Sequence, residues 1–159
     1  MFKGVDKMEP RQEVLFKQLE TYRKELLGAV ESLTEEQAEI IPAGFRNNIR
    51  WNLGHLYLDQ LLWIEALTKV PTAISKQFNQ WFGFGTTPAN FTEETPSFTE
   101  LKVLLQSQPQ AILEKYGADL EKEYPPIDMG MQTIEQVLIR TIFHEGMHLQ
   151  AINDLKKFI

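Results

Sequence analysis

Apolar residues in this chain recur at spacings of three and four and almost never alternate one by one, and this periodicity constrains the fold more than any other feature. Residues on one face of an α-helix repeat every three or four positions, whereas those on one face of a strand repeat every two. Leu15, Leu19, Tyr22, Leu26, Ala29 and Leu33 make one such face in a first helix from about Pro10 to Ser32. A short helical signal follows at Thr34, where Thr34 and Gln37 read as a capping box. Pro42, Gly44 and Asn47 then mark a loop. A second helix starts with Asn48 as N-cap, carries Trp51, His55, Leu58 and Leu62 on one face, and ends before Pro71. The connection from about Lys69 to Pro96 is long and rich in aromatics, and such connections are usually functional or packed over something. A third helix starts near Pro96 or Ser97, with a Ser97–Glu100 capping box and a proline, Pro109, expected to kink or split it. Tyr124 to Gly130 reads as a loop, and a fourth helix begins at Thr133. The expected fold is all-α: a four-helix bundle with a long connection between the second and third helices, in one domain over residues 1–159.

Composition narrows the function classes. The net charge is −6, and Lys and Arg are scattered among acids, without the basic stripe that nucleic-acid binders show. Cysteine is absent, which excludes disulfides, thiolate metal ligands and a cysteine nucleophile. Met1 to Pro10 has no apolar leader-like region, and no apolar run approaches a membrane span. These features read as a soluble cytoplasmic protein with no nucleic-acid or membrane partner.

The chemistry concentrates in the fourth helix. Its apolar stripe, Val137, Thr141, His144, His148, Ala151 and Leu155, places two histidines inward, one turn apart. Imidazoles four residues apart on a helix can converge on one metal ion. His55 takes the same kind of place on the second helix. All three histidines of the chain thus fall on inward faces, and three buried imidazoles need polar partners that one shared metal can supply. The alternative is a satisfied histidine cluster in the core with no metal.

His144-Glu145-Gly146-Met147-His148 also spells the H-E-x-x-H of zinc proteases, in which the glutamate is the base. Asp154 lies where a third ligand of that pattern falls, but Ala151 replaces the glycine that turns the chain and the helical stripe runs on. His55 then completes the set in place of a downstream ligand. Glu145 points about 100° away from His144 around the helix, so an outer or solvated carboxylate is favoured over a catalytic base. Asp59, one turn after His55, is the other weak catalytic candidate. It can orient a ligand histidine through its free ring nitrogen, or pair with a surface base. Asn52 and Arg140, one turn before His55 and His144, are candidates to line the pocket or grip a substrate carboxylate. Trp51, Trp63, Trp81, Phe82 and Phe84 can wall a pocket or simply fill the core.

Residues Asn48-Ile49-Arg50-Trp51-Asn52-Leu53-Gly54-His55-Leu56 and His144-Glu145-Gly146-Met147-His148-Leu149-Gln150, in this order on the second and fourth helices, resemble the DinB/YfiT-like superfamily of metal-dependent enzymes. The resemblance implies a four-helix bundle, nickel or zinc held by three histidines carried over onto His55, His144 and His148, and a homodimer. It also implies a small-molecule substrate and chemistry with a low-molecular-weight thiol such as mycothiol, bacillithiol or glutathione. Thiol S-transfer or hydrolysis is the expected activity, with a non-catalytic metal- or ligand-binding stress protein as the alternative.

Overall fold

The computed structural model describes residues 8–159, so part of the leader reading, at residues 1–7, lies outside the described residues. Among the described residues every regular element is helical. The six α-helices are α1 (Pro10–Val30), α2 (Glu35–Glu39), α3 (Ile49–Thr68), α4 (Ala73–Phe82), α5 (Phe98–Tyr116) and α6 (Ile134–Leu155). The four long helices each pack on two others: α3 on α5 and α6, and α1 on α5 and α6.

Local chemistry sets the boundaries where the sequence places them. The Asn48 side chain accepts the Trp51 N–H and starts α3, and Ser97 and Thr133 begin α5 and α6 with reciprocal capping boxes. Lys69, in the left-handed region at φ 60°, closes α3.

Three expectations change. The connection from Lys69 to Pro96 is not a plain loop, because it contains α4, whose Phe78, Trp81 and Phe82 are buried against α3. Pro109 does not split its helix, and α5 runs through it. A helical proline leaves the carbonyl four residues earlier without its N–H partner. That carbonyl, Leu105 O, accepts instead from Arg23 Nη1 at 2.5 Å. Finally, the inward residue of α1 in this turn is Arg23, at 3% exposure, and not Tyr22.

The apolar interior falls into two clusters at opposite ends of the helices. One gathers Leu26, Leu53, Phe82, Leu101 and Ile152, and the other Leu19, Ile64, Ile112 and Val137. Between them each long helix contributes a buried polar residue: Arg23, Gln60, Gln108, Thr141 and Glu145. Both Glu145 oxygens accept from Arg23, at 2.8 and 3.2 Å. Gln60 accepts from Arg23 and donates to Thr141, and Gln108 accepts from Arg23 and donates to the Tyr57 carbonyl. No helix of the described residues is long and apolar enough to cross a membrane.

Candidate metal centre

The three histidines meet beside this polar layer. His55 comes from α3, His144 and His148 from successive turns of α6, and one nitrogen from each lies within 4.8 Å of the others. The ring centroids are 4.6 to 5.2 Å apart. Imidazole nitrogens that each bond one ion at about 2.0–2.1 Å must sit this close.

Each ring is held from behind by a different kind of oxygen. His55 Nδ1 lies 2.7 Å from the Phe82 carbonyl, and His148 Nδ1 lies 2.7 Å from Asn52 Oδ1. His144 Nδ1 lies 2.9 Å from Asp59 Oδ2, a close contact rather than an aligned hydrogen bond. The Phe82 carbonyl and Asn52 Oδ1 can only accept, so on His55 and His148 the proton belongs on Nδ1, which leaves Nε2 of those rings free to coordinate. The Asn52 amide is oriented by its own donation to the Asn48 carbonyl at 2.8 Å, which leaves Oδ1 toward His148. Asn48 therefore both caps α3 and fixes the residue that orients a ligand. Trp51 stacks on His55, with ring centroids 4.7 Å apart, and its indole N–H donates to Thr86.

Electrostatics keep His55 and His148 ready to coordinate. Burial lowers the pKa of His55, outweighing the support of the Phe82 carbonyl. Burial, reinforced by the two neighbouring imidazoles, pushes His148 down to about 3. Neutral imidazole is the form that binds metal. Burial alone would push the Asp59 carboxyl up, but His144 and Arg140 more than reverse this and hold it below the usual carboxylate range. A buried anion thus faces the back of one ligand ring.

The sequence candidates separate into two groups. His55, His144, His148, Asp59, Asn52 and Trp51 come together at the cluster, and Arg140 joins them by donating to Asp59 Oδ2 at 2.6 Å. Glu145 does not, and it is not solvated either: at 4% exposure it is consumed by its pair with Arg23. Trp81 and Phe82 are core residues and Phe84 is fully exposed. Two contributors escaped the sequence reading. The Phe82 carbonyl is backbone and leaves no signature. Gly54 has one: a glycine inside a helix costs about 1 kcal/mol relative to alanine and needs a reason. Here a Cβ would lie 2.3 Å from the Phe82 ring, so Gly54 lets α4 dock close enough for its last carbonyl to reach His55.

Replacing Asn52 with Ala is expected to weaken metal binding by about 10–100-fold, the usual cost of losing a group that orients a ligand histidine. A competition titration against a chromogenic chelator measures this, and an unchanged affinity would remove Asn52 from the site.

No curated protein matches the chain. The family model described as the DinB superfamily matches residues 18–152, a span that takes in all three histidines. With that match over most of its length and with the three-histidine cluster built from its second and last long helices, the chain belongs to the DinB superfamily.

Proposed function

We propose that this protein is a metal-dependent enzyme that works on a small molecule at the three-histidine site, with thiol S-transfer ahead of hydrolysis. The observation that carries the reading is that one nitrogen from each of His55, His144 and His148 lies within 4.8 Å of the others, with an oxygen behind each ring. Closed structural zinc sites usually have four protein ligands, and three leave a position for water or substrate. Nickel or zinc suits the all-imidazole set. The four long helices serve as the bundle that holds the ligands in register.

A bound divalent ion would act as a Lewis acid that stabilises a thiolate or a hydroxide at neutral pH. The chain's own residues do the rest. Asn52, Asp59 and the Phe82 carbonyl fix ring orientation, and the stacked Trp51 screens His55 from water. Transfer is placed ahead of hydrolysis because, among the described residues, no carboxylate beside the ligands is spare. Glu145 is committed to Arg23, and Asp59 to His144, Arg140 and Trp63. A thiol ionised by the metal needs no such base, whereas general-base hydrolysis does. We also propose a homodimer, supported by the uncharged outward row Ile139, Phe143 and Met147 on α6, all exposed. Light scattering in solution reads that state.

Metal analysis of protein purified without a histidine tag is expected to give about one nickel or zinc per chain, and His148→Ala to lose it. Metal-loaded protein given bacillithiol or glutathione and an electrophile is expected to turn over above background. No rate with either thiol removes the transferase reading. Retained thermal stability with lost turnover in His148→Ala marks an enzyme. A large fall in Tm with no activity to lose marks a non-catalytic metal-binding protein.

A further inference from the structure

Arg140 does more than neutralise Asp59. It precedes His144 by four residues and His148 by eight on α6, so it shares their face and lies one helical turn from the nearest ligand. Two contacts hold it in place. Nη1 donates to Asp59 Oδ2 at 2.6 Å, and the guanidinium carbon lies 4.3 Å from the centroid of the Trp63 ring. Trp63 is itself anchored, its indole N–H donating to Asp59 Oδ1 at 3.1 Å.

A guanidinium offers five N–H donors in a planar fork. Arg140 spends one, on Asp59, and its other donors have no partner among the described residues. The Asp59 carboxylate that holds it also faces His144 and accepts from Trp63, so Asp59 is fully used while the guanidinium is not. The side chain is partly exposed, so its free edge is open to a solute. A flexible surface arginine loses rotamer freedom when it grips a ligand, whereas one already stacked and ion-paired has little left to lose. A preorganised, half-used guanidinium one turn from a candidate ligand, His144, is suited to a planar anion on the same molecule that reaches the metal.

We propose that Arg140 is an anion anchor that receives a carboxylate of the substrate while another atom of that molecule occupies the open position beside His144 and His148. The proposal rests on the metal-enzyme reading and narrows it. The preferred ligand is a small thiol bearing a carboxylate a few bonds from its sulfur.

Three probes test this on nickel-loaded protein: mercaptopropionate, its neutral amide mercaptopropionamide, and propionate, which has no sulfur. Sulfur binding is read from ligand-to-metal charge-transfer absorption, and propionate binding from calorimetry. Mercaptopropionate is expected to bind at least about tenfold more tightly than the amide, as a charge-assisted hydrogen bond supplies. Arg140→Gln is expected to erase that preference while keeping the nickel stoichiometry and the affinity for the amide. Arg140→Lys is expected to restore it only in part, since an ammonium lacks the fork. Equal affinity for the two thiols in the wild-type protein overturns the proposal without any variant. A preference that survives Arg140→Gln also overturns it, because the carboxylate would then be chelating the metal. If neither thiol develops the absorption while propionate binds and is lost in Arg140→Gln, the anchor stands and the thiol reading falls.

Discussion

Removing either partner of the Arg23–Glu145 pair is expected to cost about 3–5 kcal/mol, the largest single-residue effect in this protein outside the apolar core. Both side chains are almost fully buried, at 3% and 4% exposure, so solvent screening offers little relief. Arg23→Ala leaves the Glu145 carboxylate without a partner and also strips Leu105 O of its substitute donor. Glu145→Ala leaves a guanidinium facing only carbonyl and amide oxygens. Replacing both together, as Arg23→Met with Glu145→Leu, is expected to cost far less than the sum, since no charge then remains buried. Pro109 gives the interaction a second handle. Pro109→Ala restores an N–H to Leu105 O, so it should recover more stability in the Arg23→Ala background than in the wild type. Urea denaturation of the five variants measures these differences. A cost below about 1 kcal/mol for Arg23→Ala would show that the pair carries no such burden.

Gly54→Ala is expected to destabilise the protein and to weaken metal binding together, although alanine is the better helix former. The gain in propensity is about 1 kcal/mol. Against it, the new Cβ would sit 2.3 Å from two carbons of the Phe82 ring and 2.5 Å from a third. That ring is fully buried, so it has nowhere to swing, and overpacking of this kind typically costs about 1–3 kcal/mol or more. The displaced segment carries the carbonyl that holds His55 Nδ1, so metal affinity should fall by about 10–100-fold. Adding Phe82→Ala to Gly54→Ala should relieve the clash while keeping the carbonyl, and should recover metal affinity ahead of stability. Gly28 and Gly146 are the controls, since a Cβ at either meets nothing within 4 Å. Alanine there should stabilise by about 0.5–1 kcal/mol. If Gly54→Ala behaves like those two, the close approach of α4 is not what positions His55.

Residues 133–155 show how far local information reaches. The capping box at Thr133 and the period of the stripe follow from backbone geometry within one helix, and α6 bears both out; His144 and His148 lie together but half-buried, while Glu145 between them takes the fully buried place. The same holds for Asn48 and His55 on α3. Arg23 shows where the reading stops. The inward place it occupies looked like one for an apolar residue, and Tyr22 next to it was apolar enough to take the role. Only Glu145, 122 residues away, makes burial of the guanidinium affordable, and no local pattern encodes a partner at that separation. Pro109 is the mirror case: its local rule predicts a kink or a split, α5 is not split, and a side chain from another helix supplies the donor that the rule says is missing.

The sequence by itself determined the helical class, the helix starts and the three inward histidines, because periodicity and capping act within a few residues of one another. The tertiary structure decided what stands behind each ligand ring. The Phe82 carbonyl, Asn52, Asp59 and the half-used Arg140 become parts of one site only when α3, α4 and α6 pack together. It also decided that Glu145, inside the motif that spelled a catalytic glutamate, belongs to the core. A carboxylate's role is set by which charge lies within reach across the packed interface, and that distance exists only in the folded chain.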